Sequence, residues 1–169
     1  CNAGTFNPNT GSTTSTDCLV ADPGHYVNAS LGPGQITQTA CNAGTYNSNT
    51  GSTTSTDCLS ADPGHYVDFS LGTAQSTQTA CTAGTFNPNT GSTTSTDCVG
   101  ADAGHYVNAS LGTGQSTQTA CNAGTYNPNS ASTSSTDCFD ADAGHYVDLT
   151  GQSTQTACDA GTFQALTGQ

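Results

Sequence analysis

The chain has 169 residues with no Lys, no Arg and no Glu, and its 12 Asp give a formal net charge of -12 and a pI near 4.1. Nucleic acid and anionic membrane surfaces are thereby excluded as partners, because both are bound through Lys and Arg set against phosphate. Leu, Ile, Val and Phe number only 19, well under the roughly 20% share below which chains fail to bury a core, so order has to come from another source.

Self-similarity supplies the organisation. The first element, Cys1 to Ala40, reads CNAGTFNPNTGSTTSTDCLVADPGHYVNASLGPGQITQTA and recurs from Cys41, Cys81 and Cys121, with a further copy starting at Cys158. The expected divisions are repeats 1–40, 41–80, 81–120 and 121–157, the fourth three residues short, and the start of a fifth at 158–169. Each repeat splits again into two related halves. The first runs from Cys-x-Ala-Gly-Thr-[Phe/Tyr] to Ser-Thr-Asp-Cys, and the second from Ala-Asp-x-Gly-His-Tyr-Val to Thr-Gln-Thr-Ala. Gly4 and Phe6 align with Gly24 and Tyr26, and Ala21 stands where the first half has Cys1.

Within each half, Asn-Pro-Asn-Thr-Gly and Ser-Leu-Gly favour turns, since Pro fixes φ and Gly and Asn accept positive φ. The Thr-rich runs Ser12–Thr16 and Ser76–Thr79 suit extended backbone through β-branching, and no window carries a helical period. The expected fold class is all-β: small disulfide-rich modules of short strands and turns, stacked into an elongated rod without helix. Tyr and Phe in fixed register add the expectation of an aromatic ladder.

The nine Cys require an oxidising compartment if they are to persist as disulfides. No apolar run is long enough for a signal h-region or a membrane span, so a mature exported segment is expected. The spacings alternate between 17 and 23 residues, and 20 in the short copy, which leaves two regular pairings open. Preferred is Cys1–Cys18, Cys41–Cys58, Cys81–Cys98 and Cys121–Cys138, because it staples the half with Cys at both ends and keeps the shortened segment outside every loop. Each such loop contributes about 3 kcal/mol in the chain-entropy model. Cys158 is left with a partner outside the chain.

The runs CNAGTFNPNTGSTTSTDC and CNAGTYNSNTGSTTSTDC resemble the ephrin-receptor-like, or GCC2/GCC3, cysteine-rich repeats, related in style to tumour necrosis factor receptor modules. That resemblance implies a ladder of small β modules and the same Cys pairing, in the setting of a large microbial or protist surface protein. The chain departs from the family pattern in lacking further Cys and in losing the opening Cys of each second half.

Candidate chemistry is sparse. Asp22/His25, Asp62/His65, Asp102/His105 and Asp142/His145 are the recurrent titratable pairs, but zinc needs three or four convergent ligands. The plainer expectation sets His over the next module's aromatic ring and Asp at a turn. No catalytic constellation, metal or cofactor is expected, and the chain is not read as an enzyme. Ser and Thr number 50, and their tracts point to O-glycans on Thr10, Thr13, Thr14, Thr50, Thr53, Thr54, Thr90, Thr93 and Thr94. Asn28 and Asn108 begin N-glycosylation sequons, where the other repeats carry Asp68 and Asp148. The expected role is a glycosylated structural subunit of an extracellular fibre or cell-surface appendage, with the chain itself and covalent glycans as partners. The alternative is a receptor-like or adhesive stalk at the cell surface.

Overall fold

A computed structural model describes residues 1–169 as eight two-stranded antiparallel sheets with no α-helix. The all-β, disulfide-rich module expected from the sequence is the fold observed. No helix is long and apolar enough to cross a membrane. The chain forms two compact units with interleaved segments: Cys1–Asp62, Tyr66–Thr79 and Thr90–Ser95, and Pro63–His65, Ala80–Asn89 and Thr96–Gln169.

Every half-repeat makes one hairpin. In the first unit Thr5–Phe6 pairs with Leu19–Val20, His25–Tyr26 with Thr39–Ala40, and Thr45–Tyr46 with Leu59–Ser60. In the second unit Thr85–Phe86 pairs with Val99–Gly100, His105–Tyr106 with Thr119–Ala120, Thr125–Tyr126 with Phe139–Asp140, and His145–Tyr146 with Thr156–Ala157. Each strand is two residues long, and the first of each hairpin, Thr or His followed by Phe or Tyr, comes directly after the turn at Gly. Of the two Ser-Thr-rich runs expected to be extended, Ser76–Thr79 ends in the strand Thr79–Ala80, and Ser12–Thr16 forms no strand. Ser12–Thr16 lies in a loop that tightens into the 3-10 turn Ser15–Asp17, because the Asp17 carboxylate accepts the Thr14 N–H at 3.2 Å. A short acceptor three residues on favours a local turn over a ladder. Asp57 and Asp137 act alike, each accepting two N–H groups.

The second halves use a different cap. The Asn28 Oδ1 accepts the Ser30 N–H and hydroxyl at 3.0 and 2.7 Å and starts the 3-10 turn Ala29–Leu31; Asp68 replaces it without loss before Phe69–Leu71. This explains the Asn/Asp alternation, since both supply the same acceptor. In the shortened copy Asp148 starts no such turn. The missing residues fall at this exposed tip, and the backbone bond beyond it is kept: Asn127 N–H to Gln152 C=O at 3.1 Å matches Asn87 N–H to Gln115 C=O at 3.0 Å.

The core is a thread of small side chains rather than a ladder of rings. Ala21, Val27, Cys41, Ala61 and Val67 are buried in the first unit, and Cys81, Ala101, Val107, Cys121, Ala141 and Val147 in the second. The rings are mostly half-buried, and the one ring contact, Tyr126 with Phe139 at 6.1 Å, joins opposed residues of a single hairpin. Leu31, Leu71 and Leu111 are exposed.

Close approach of one half to the half two further on makes the packing selective. Ala131 holds a positive φ of 56° where the other first halves place Gly11, Gly51 and Gly91. A Cβ built on Gly100 would sit 2.7 Å from the Ala131 Cβ, so the loop that gained a methyl faces the one strand end that lacks a side chain. Ala131→Gly is expected to stabilise the second unit by about 1 kcal/mol through relief of the left-handed backbone. Gly100→Val is expected to destabilise it by about 2 kcal/mol through overpacking, with most of that loss recovered in the double variant. Chemical denaturation of the four proteins of this cycle checks both values.

Candidate functional site

The structure joins Cys1–Cys18, Cys41–Cys58, Cys81–Cys98 and Cys121–Cys138, with Cα–Cα distances of 5.4 to 5.7 Å. Cys158 is free and half-buried. Each disulfide closes the hairpin of a first half, and the following half carries Ala in the buried place of Cys. Position seven of the half changes in parallel: Val in the second halves, Asn in the first.

A buried Asn sits where a first half meets the half before it. Asn47 is 1% exposed, and its amide Nδ2 donates to the His25 carbonyl at 3.1 Å and to the Ser52 hydroxyl at 2.8 Å. Its Oδ1 accepts the Asn49 N–H at 3.0 Å. The side chain therefore orders its own loop and ties it to the half before it. Around it lie four backbone bonds of the same joint: Gly24 N–H to Asn47 C=O at 2.7 Å, Val27 N–H to Ser52 C=O and Ala29 N–H to Thr53 C=O at 2.9 Å, and Gly51 N–H to Ala21 C=O at 2.8 Å. The second unit repeats the joint, with Gly104 to Asn127, Val107 to Ser132, Ala109 to Thr133 and Ala131 to Ala101, and Asn127 Nδ2 reaching the His105 carbonyl at 3.0 Å.

Asn47→Val, the residue of the other halves, is expected to cost about 2–3 kcal/mol because it leaves the His25 carbonyl and the buried Ser52 hydroxyl without the amide donor. A thermal melt of the variant reads this, and an unchanged midpoint would show that the amide is dispensable. A polar residue at a buried place is not visible from hydrophobic periodicity. The available signal was Asn at the same position in the four first halves, Asn7, Asn47, Asn87 and Asn127.

The structure separates the Asp and His of each pair. The Asp22 N–H and carboxylate form a reciprocal pair with the Gln38 side chain at 2.8 and 2.6 Å. Asp62 with Gln78, Asp102 with Gln118 and Asp142 with Gln155 do the same. The His25 Nδ1 meets the Pro23 carbonyl at 3.2 Å. The His65 ring lies against the Gly114 backbone rather than over an aromatic ring. No group of three His, Cys, Asp or Glu side chains converges.

Of the Thr singled out for sugars, Thr10, Thr13, Thr14, Thr50, Thr54, Thr90 and Thr94 are exposed, while Thr53 and Thr93 are half-buried. The methyl groups of the last two face Gly4 and Gly44, so these positions are shared with packing. Asn28 and Asn108 are half-buried, with Oδ1 held by Ser30 and Ser110.

One groove stands open. A cavity of about 600 Å³ is lined by Cys1, Asn7, Ser12, Thr13, Cys18 and Gln35 among others. Its residues match those that Cys41, Asn47, Ser52 and Thr53 bring to the covered joint. Repeating disulfide-rich modules of this kind are compatible with an extracellular structural or receptor-like role, and no family model and no curated protein matches the chain.

Proposed function

We propose that the chain is a structural subunit of an extracellular fibre or cell-surface appendage, carrying sugars on its Ser, Thr or Asn side chains and performing no catalysis. The observation that carries this reading is the recurrence of one joint. The five bonds from the Ala21 half to the Cys41 half return between the Ala101 half and the Cys121 half with nearly the same distances. A unit that both offers and accepts the same seat extends without altering its contacts, which is the energetic logic of linear repeat arrays. The 20 Gly and 50 Ser and Thr leave little side-chain chemistry for a substrate, and the absence of Lys and Arg removes every trypsin-type cleavage site. The likeness to the ephrin-receptor-like repeats supports the same extracellular setting.

Electron cryo-microscopy of unreduced native material tests the proposal. A polymer whose axial repeat is commensurate with 40 residues, with extra density on exposed Thr or on Asn28, supports it; compact uncoated particles overturn it. A second reading, an adhesive or receptor-like stalk, draws on the exposed Leu31, Phe69 and Leu71 of the first unit, apolar points that a ligand could cover. It expects those particles to hold a ligand at the Leu positions.

A further inference from the structure

The second halves hold no disulfide, yet each closes its hairpin at the same two places as a first half. Ala101 and Gln118 have the same separation in sequence as Cys121 and Cys138. Ala101 is buried and Gln118 half-buried, as Cys121 and Cys138 are. The register agrees: His105 lies opposite Ala120 just as Thr125 lies opposite Asp140. Gln118 thus stands where a bridging Cys would be, and it is bonded to the neighbour of Ala101. Its Oε1 accepts the Asp102 N–H at 2.7 Å, and its Nε2 donates to the Asp102 carboxylate at 2.7 Å.

The same pair recurs in every second half. Asp22, Asp62, Asp102 and Asp142 occupy the position where the first halves have Asn2, Asn42, Thr82 and Asn122. In the shortened copy the loop loses three residues, but Asp142 and Gln155 remain joined at 2.7 and 2.6 Å and His145 still lies opposite Ala157. The loop tip varies and its closure does not, so the pair marks the base of the hairpin as the disulfide does.

We infer that the Asp–Gln pair is a releasable latch in the disulfide's place, so that each second half opens under tension and recloses while the first halves stay shut. Load along the chain passes through the Cys121–Cys138 bridge and by-passes the residues between them, whereas in a second half it runs through the whole backbone. From Cys98 to Cys121 the chain advances 23 residues, which extend to at most about 80 Å. That length is kept folded by the latch, whose Asp102 is exposed, and by the bonds of the Val107 and Ala109 N–H groups to the Ser132 and Thr133 carbonyls. Hydrogen bonds of an exposed group exchange with water at little net loss; a disulfide does not. The closed Cys121–Cys138 half keeps both carbonyls in place for the return. The latch gives the fibre reversible extension and rests on that reading.

The test uses the oxidised 169-residue chain. With Ala101→Cys and Gln118→Cys together, the two new thiols are expected to join on oxidation. Pulling that variant by its ends in optical tweezers should then show reversible lengthening reduced by about 60 Å, the reach of the newly closed loop. Thiols that stay free, or lengthening that is unchanged, would overturn the latch. Hydrogen exchange reads the same device without load. Gln118→Glu keeps an acceptor for the Asp102 N–H but sets carboxylate against carboxylate, and is expected to speed exchange at the Val107 and Ala109 amides about tenfold, with the Cys138 amide of the closed half unmoved. Adding Asp102→Asn returns a donor to the pair with the roles reversed, and is expected to bring exchange back to within about twofold of the parent. Acceleration at Cys138 to the same degree, or no rescue, would overturn the latch and leave the fibre reading intact. Rescue in the chain beside native material without polymer would keep the latch and remove the fibre.

Discussion

Replacing Cys41 and Cys58 together by Ser is expected to destabilise the first unit by about 4 kcal/mol, the loss spreading to halves that contain no disulfide. The 17-residue loop accounts for about 3 kcal/mol through the entropy of the unfolded chain. Cys41 is 1% exposed, and a hydroxyl placed there without a partner adds about 1 kcal/mol more. Against a total of about 5–15 kcal/mol for an ordinary domain, and with a thread of Ala and Val for a core, that is a large fraction. The spread follows from the joint. The Ala21 half is held by its bonds to the Cys41 half, and the Cys41 carbonyl in turn takes the Ala74 N–H at 3.2 Å. Hydrogen exchange of the Gly24, Val27 and Ala74 amides should therefore accelerate along with the loop's own. Protection unchanged at those three amides would mean that each half holds itself, and the account of the joint would be wrong.

Much of this arrangement could be read in the sequence, because repetition turns a weak signal into a strong one. One Gly-Thr-Phe says little, but Gly4, Gly24, Gly44 and Gly64 at a spacing of 20 define the half-repeat and its turn. Strand placement was less legible. Ser12–Thr16 has high β propensity, yet Asp17 turns it, since one well-placed carboxylate outweighs a few tenths of a kcal/mol per residue. The burial of Asn47 is not legible in the sequence because it depends on His25 of the preceding half as well as on Ser52 of its own. The Ser-Leu-Gly turn signal was legible: Leu31, a large aliphatic, ends the 3-10 turn Ala29–Leu31 and stays exposed rather than filling the core. Where a chain buries Ala, Val, Cys and Asn, hydrophobicity is a poor guide and spacing a good one.

Two glycines of the same half separate conformation from packing. Gly24 and Gly32 share a φ of 80°, and at Gly32 a ψ of -175° sets the backbone in a region that is essentially glycine's own, so Ala there carries backbone strain of about 1–3 kcal/mol. Around Gly32 a Cβ would meet nothing within 4 Å, whereas at Gly24 it would lie 2.0 Å from the Ala74 carbonyl oxygen and 2.4 Å from its carbon. Backbone cannot swing aside as a side chain can. The Gly24 N–H is also committed to the Asn47 carbonyl, so the strand end cannot retreat without breaking the joint. Gly32→Ala is expected to cost about 1–3 kcal/mol, and Gly24→Ala about 4 kcal/mol or more, the combination of strain, overpacking and a broken buried bond. Paired urea titrations give both numbers on one scale, and the cooperativity of the Gly24→Ala transition carries the further information. A broader transition with a lower m-value is the expected signature of a joint opened between halves. Equal costs for the two variants would place the requirement for Gly in backbone conformation alone and remove the close approach from the account of how these modules stack.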